Sequence, residues 1–269
     1  MRNSMEASTR VCTGDMFLRA TRFCDVTDPD ITSLAEVLRR GTQRESAVAI
    51  FGHVRDEIAY EVGNWQRTAS QTIHRGRGTC TNAANLMVAL LRSLGIPAGY
   101  GVMTVNGQDY FGPAIPRRLC SRVSHRSRHF YVCVWLDDHW IRCDPSDDTA
   151  LAVASQYFNP QCTLVDWDGF EDALLRLDPG HIIEDLHPLA DIDALMAKPM
   201  RTAMRLPVHV GNYFIEFMRE HGASVTDAVD CQIRFEQWLT RRHPVSALAY
   251  RALPATSNQS PRHRVRSLG

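Results

Sequence analysis

The chain has 269 residues and a mass of 30.4 kDa, enough for one large domain or two small ones. At 44% hydrophobic and 22% charged it has a globular composition, and no apolar run approaches the roughly 20 residues a membrane span needs. Thirty basic residues balance thirty acidic ones, which argues against a dedicated nucleic-acid binder. The first 30 residues carry charges throughout and lack a secretory apolar stretch, so a cytoplasmic protein with no membrane partner is expected.

In chain order, Thr42 to Tyr60 reads as a helix, with Thr42 and Glu45 at capping-box spacing and Ala47, Ile50, Phe51, Val54 and Ile58 on one face. A polar stretch, 63–78, leads to a second helix from Cys80 to Leu94. It is apolar on much of its circumference and is stopped by Gly95 and Pro97. Ala98 to Val105 has strand character. A long loop comes next over 106–128, then a strand from His129 to Leu136, a turn at Asp137-Asp138 and a return strand from His139 to Asp144. Residues 146–200 are acidic and punctuated by Pro and Gly, which predicts short helices and loops. Asn212 to Glu220 and Val225 to Arg241 read as amphipathic helices, the second capped near Ser224. The polar, basic stretch 255–269 reads as a disordered tail. This gives an expected division into a core over 1–150, a helical extension over 151–254 and the tail.

The neutral total hides an uneven distribution. From Arg67 to Phe130 nine arginines face one acid, Asp109, for a net of +8. From Tyr131 to Lys198 fourteen acids face Arg142, Arg176 and Lys198, for a net of −11. Such asymmetry shapes local potential and partner choice.

The eight cysteines (12, 24, 80, 120, 133, 143, 162, 231) form no CxxC pair. In a reducing compartment seven of them read as small apolar core residues. Cys80 differs. It opens the second helix in RGRGTCTNAANL, where unpaired backbone N–H groups and the helix dipole favour a thiolate. Arg75 and Arg77 add positive charge if they turn inward, and Gly76 and Gly78 would leave room for a substrate. A nucleophilic thiol needs a base on a rigid element and a third group to orient that base. With Asp137 and Asp138 as turn residues, Leu136 pairs with His139. Asp144 then falls diagonal to His129 on the same face of the hairpin, within reach of it. A one-residue slip would separate them.

The segments GTCTNAANLMVALLRSLGIPAGY and HFYVCVWLDDHWIRCDPSDD resemble the core of the transglutaminase-like superfamily, over roughly residues 45–150. The resemblance implies an α+β fold, the Cys-bearing helix packed on an antiparallel sheet. It also implies Cys80 as nucleophile, His129 as base and Asp144 as the group that orients the base. The family often turns a Trp or Gln side chain toward the oxyanion; Trp65, Gln66 and Gln71 are candidates here.

Several rival readings carry less. His125 lies in the loop rather than the strand. Cys120, His125, His129 and Cys133 have spacings that could suggest zinc, but two of them read as strand residues, and neither a metal nor a cofactor is expected. His181 and Glu184 are too common a pair to carry a reading, and Asp147 and Asp148 read as a solvated turn that could border the site. The expected function is a cysteine-dependent acyltransferase that forms an amide through an acyl-thioester on Cys80. A cysteine peptidase or amidase, a protein-crosslinking enzyme and a non-catalytic binding module are the alternatives. A second resemblance, to the andrimid-type amide synthases of natural-product assembly lines, implies an acyl donor held on an acidic carrier protein and an amine acceptor. Arg117, Arg118 and Arg122, in the acid-free stretch before His129, would receive such a carrier.

Overall fold

The computed structural model describes residues 15–112, 115–157, 164–175, 179–200 and 204–254. The expected disordered tail lies outside them, as do Cys12 and Cys162. Helices α1 (Pro29–Leu38) and α2 (Gln43–Glu57) open the fold, α2 closed by the Thr42–Glu45 capping box. A two-residue strand β1 (Ala59–Tyr60) comes next. Helix α3 (Ala69–Arg75) sits where only a polar stretch is predicted, and strand β2 (Arg77–Gly78) succeeds it. Strands β1 and β2 pair in parallel, Tyr60 opposite Gly78.

Helix α4 (Cys80–Ser93) is the centre of the molecule, with every residue from Thr81 to Arg92 buried. Its apolar residues pack with α1, α2 and one face of the sheet, Phe130, Val132, Val134, Leu136 and Ile141 among them. Two of its buried polar side chains bridge distant parts of the backbone, as buried polar groups must find partners. Asn85 donates to the Phe23 carbonyl (2.8 Å) and accepts from the Tyr100 hydroxyl (2.9 Å). Arg92 donates to the carbonyls of Ala98, Arg19 and Ala190.

Strand β3 (Ala98–Val105) leads through two short helices, α5 (Gly107–Phe111) and α6 (Arg117–Cys120), to β4 (Ser127–Leu136) and β5 (His139–Cys143). The hairpin has the predicted register: Leu136 faces His139 and Val132 faces Cys143. Asp137 and Asp138 both take positive φ (47° and 66°), the left-handed pair that a tight hairpin turn requires. Helix α7 (Thr149–Ala154) lies beyond the hairpin.

The acidic stretch is more than short helices and loops. Strand β6 (Ile182–Leu189) pairs antiparallel with β3, so the four-stranded sheet has the order β5-β4-β3-β6 and takes its last strand from beyond residue 150. Ala173 also bridges Cys143 at the other edge, beside the Asp172 ion pair with Arg142. After the short helix α8 (Asp193–Met196), helices α9 (Arg205–His221), α10 (Ala228–Arg242) and α11 (Pro244–Arg251) form a second core. Phe214, Phe217, Phe235 and Trp238 pack together in it. The cap of α10 is Asp227, not Ser224. The fold is α+β, with the Cys-bearing helix against an antiparallel sheet. Among the described residues no helix is long and apolar enough to cross a membrane.

Candidate active site

Cys80 is the first residue of α4 and is half-buried. Thr79 caps the helix: its hydroxyl accepts from the Asn82 N–H (3.3 Å) while the Asn82 side chain accepts from the Thr79 N–H (3.1 Å). The Cys80 N–H, at the first helical position, has no intrahelical acceptor. The glycines before it do something other than admit a substrate. Gly76 takes φ +60° as the left-handed cap of α3. At Gly78 a Cβ would meet the Cβ of Asn82 at 2.7 Å, so glycine is what lets the chain pass the cap. Arg75 pairs with Glu61 (3.6 Å) and Arg77 is exposed; neither is turned inward.

His129 enters from β4 and Asp144 from the residue after β5. Nε2 of His129 and Oδ2 of Asp144 are 2.5 Å apart, and the carboxylate is 1% exposed. The Cys80 sulfur is close enough to the same imidazole to add to the interactions that favour its charged form. With Nε2 occupied by Asp144, Nδ1 is the nitrogen left for sulfur. Burial works against a charged imidazole. The Asp144 charge and hydrogen bond, joined by the Cys80 sulfur, outweigh it and hold the histidine pKa well above its ordinary value. Burial likewise works against the Asp144 charge. His129 and two donors from Ser146 reverse that and hold the carboxyl below its ordinary value. Those donors are the Ser146 hydroxyl (2.6 Å) and N–H (3.1 Å), both to Oδ1. Ser146 is not among the residues the sequence singles out, although Asp-Pro-Ser is a legible Asx-type turn signal.

A thiol at a helix start, an imidazole and a buried carboxylate are the three group types that activated-thiol chemistry needs. Residues 32–145 match the sequence profile of the transglutaminase-like superfamily. That segment is a transglutaminase-like domain. No curated protein sequence matches the chain significantly. A crystal structure of a candidate cysteine protease from Cytophaga hutchinsonii matches it at 23% identity and a TM-score of 0.38, over 48% of this chain and 40% of that one.

The matched segment ends at Pro145, and the chain beyond it closes one side of the site. Asp148, buried, accepts from the N–H groups of Tyr60 (3.1 Å) and Leu151 (3.0 Å) and is ion-paired with Arg219 of α9. Burial opposes its charge, but Arg219 and these N–H donors hold its pKa below the ordinary range. Asp147 sits between Asp144 and Asp148. Burial, then the charge of Asp144, pushes its carboxyl up to about 7. Asp147 and Asp148 are therefore part of the site's wall, not a solvated turn.

Other sequence candidates fall elsewhere. The Trp65 indole donates to the Lys198 carbonyl (3.0 Å) and the Gln66 amide to the Ala197 carbonyl (2.9 Å). The Gln71 side chain accepts from the Thr68 N–H at the start of α3. All three are structural. Arg117 and Arg122 are exposed, but the Arg118 guanidinium is hydrogen-bonded to the Leu253 carbonyl and so ties the loop to the C-terminal helices. His125 is exposed. Burial pushes the Cys133 thiol up to about 12, and among the described residues no three His, Cys, Asp or Glu side chains converge for a metal.

Proposed function

We propose that this protein is a cysteine-dependent acyltransferase that joins an acyl group to an amine through an acyl-thioester on Cys80. The observation that carries the reading is the 2.5 Å pair of His129 with buried Asp144, with the Cys80 sulfur at the start of α4 acting on the same imidazole. In the first half-reaction His129 holds the thiol proton and the sulfur adds to the carbonyl carbon of a thioester donor. The tetrahedral intermediate collapses, the donor's C–S bond breaks, and the leaving thiolate takes the proton from His129. In the second, an amine adds to the acyl-enzyme, His129 takes its proton, and Cys80 leaves as the thiolate while the amide departs. Asp144 keeps the imidazole oriented and offsets its charge throughout.

The donor we favour is an acyl group on an acidic carrier protein. Arg117, the first residue of α6, and Arg122, just beyond that helix, are exposed in the segment that feeds the strand bearing His129, and they would steer such a partner. Arg118, engaged with Leu253, belongs to the loop's anchorage instead.

The test is intact-protein mass spectrometry with a small acyl thioester. The wild-type chain should gain one acyl mass and the Cys80→Ala variant none. Adding an amine should discharge the acyl group as amide. Discharge to free acid alone, with amines present, would replace this reading by a hydrolase. Charge reversal at Arg117 and Arg122 should slow acylation by a carrier-bound donor at low salt about ten-fold, and leave the small thioester unaffected. Equal effects on both donors would remove the carrier from the proposal.

A further inference from the structure

The addition of a thiolate to a carbonyl moves an electron pair onto oxygen, and that oxygen needs donors already in place. The Cys80 N–H can supply one. The side chains the sequence offers for a second, Trp65, Gln66 and Gln71, are engaged elsewhere.

Tyr60 is the residue the structure brings instead. Its backbone lies opposite Gly78, two positions before Cys80, in the β1–β2 pair, and the Glu61 N–H donates to the Gly78 carbonyl (2.8 Å). Its phenol is half-buried and within electrostatic range of Cys80, Asp147, Tyr110 and Asp144. The hydrogen bonds of Tyr60 to Asp148 and Arg219 are both made by its backbone, and among the described residues its hydroxyl has no hydrogen-bond partner. Burial, then the neighbouring Cys80 and Asp147, raise the phenol pKa well above its ordinary value, so the group keeps its proton.

Those backbone bonds come from one device. Arg219 donates to the Tyr60 carbonyl (2.9 Å) and pairs with Asp148, whose carboxylate accepts from the Tyr60 N–H (3.1 Å). Two residues on, Asn212 of the same helix bonds both the N–H (2.9 Å) and the carbonyl (2.8 Å) of Val62. Both polar groups of the Tyr60 backbone are thus fixed from outside the matched segment, the carbonyl by Arg219 of α9 and the N–H by Asp148, which Arg219 holds.

We propose that the Tyr60 hydroxyl is the second donor to the acyl oxygen on Cys80, and that Arg219 is the positioning residue that holds Tyr60 there. The proposal rests on acyl transfer through Cys80. Sulfur bonds to carbon, the carbonyl pair moves onto oxygen, and Tyr60 and the Cys80 N–H each donate a hydrogen bond without losing a proton. When the intermediate collapses, the pair returns and the donor's thiolate leaves with the proton from His129.

The experiment compares two reactions of one sulfur. Iodoacetamide alkylation needs the nucleophile but creates no oxyanion, whereas acylation by an N-acetylcysteamine thioester needs both. Tyr60→Phe should lower the acylation rate constant about 30- to 300-fold and leave alkylation within two-fold of wild type. Arg219→Gln should show the same selective loss, Arg219→Lys should recover most of it, and the double variant Tyr60→Phe/Arg219→Gln should be no worse than Tyr60→Phe. Parallel losses in both reactions, or none in either, would overturn the proposal. If wild-type Cys80 is neither acylated nor alkylated faster than the other cysteines, the acyltransferase reading fails first, and the two failures are told apart.

Discussion

Replacing Asp144 by asparagine tests the geometry of the site more sharply than removing the nucleophile. Oδ1 of Asp144 accepts two hydrogen bonds from Ser146, and the one from the backbone N–H cannot rotate away. An asparagine must therefore keep its oxygen on Ser146 and turn its NH2 group to Nε2 of His129, 2.5 Å away in the native site. Nε2 then has to accept, so the neutral ring carries its proton on Nδ1. The nitrogen facing Cys80 becomes a donor where the thiol needs an acceptor. The substitution also removes the charge that, with its hydrogen bond, holds the imidazole pKa up.

A wrong tautomer of this kind costs about 10³- to 10⁴-fold in an acyl-transfer triad, or roughly 4–5.5 kcal/mol of barrier. The acylation rate constant of Asp144→Asn, measured by rapid mixing with a small thioester and intact mass, should fall by that amount while staying above that of Cys80→Ala. Nitrogen-15 spectra of the imidazole should report the proton on Nδ1. A rate within ten-fold of wild type, or a proton still on Nε2, would refute the reasoning.

The neighbours of this carboxylate give two further outcomes. Ser146→Ala removes a 2.6 Å bond to a buried charge and should lower unfolding stability by about 1–3 kcal/mol, read from the urea midpoint, while slowing acylation less than Asp144→Asn does. An unchanged midpoint would show that the hydroxyl bond contributes nothing. Asp147 has its pKa raised from 3.8 to about 7 in the fold, so its contribution to stability is full below pH 4 and is lost as pH rises through 7. Asp147→Asn should accordingly raise Tm relative to wild type at pH 8 far more than at pH 5. The gain is on the order of 1–3 kcal/mol, since the side chain is only half-buried and screening reduces the shift's full worth. Equal gains at the two pH values would show that the carboxyl is not charged against its surroundings.

The features legible in the sequence are those that repeat at short range. Helix α4 announces itself because nearly its whole surface is apolar and Gly95 and Pro97 end it. The hairpin register comes from the Asp-Asp turn and the period-two pattern of β4, which together put Asp144 diagonal to His129. Two more helices carry local marks of the same kind: Asp28-Pro29 with Ile31, Ala35 and Leu38 marks α1, and Thr68 with Gln71 is a capping box for α3. Strand β6 has no such mark. IIEDLHPL mixes partly buried and exposed residues without alternation, because it is an edge strand bearing Pro188 and acids.

The rest of the site is illegible for a different reason. The bond from Arg219 to the Tyr60 carbonyl spans 159 positions, and its pair with Asp148 spans 71. No periodicity or composition encodes a single arginine chosen to meet one carboxylate and one carbonyl across a fold. Such a contact arises only after α9 has packed, driven by Phe214, Phe217 and Met218 on its apolar face. The order of causes therefore runs from the second core to the site: aromatic packing places α9, α9 places Arg219, and Arg219 fixes the backbone of Tyr60 beside Cys80. A chain cut at Pro145 would keep Cys80, His129 and Asp144 and lose Ser146, Asp148 and Arg219, the groups that hold the Asp144 carboxylate and the Tyr60 backbone in place.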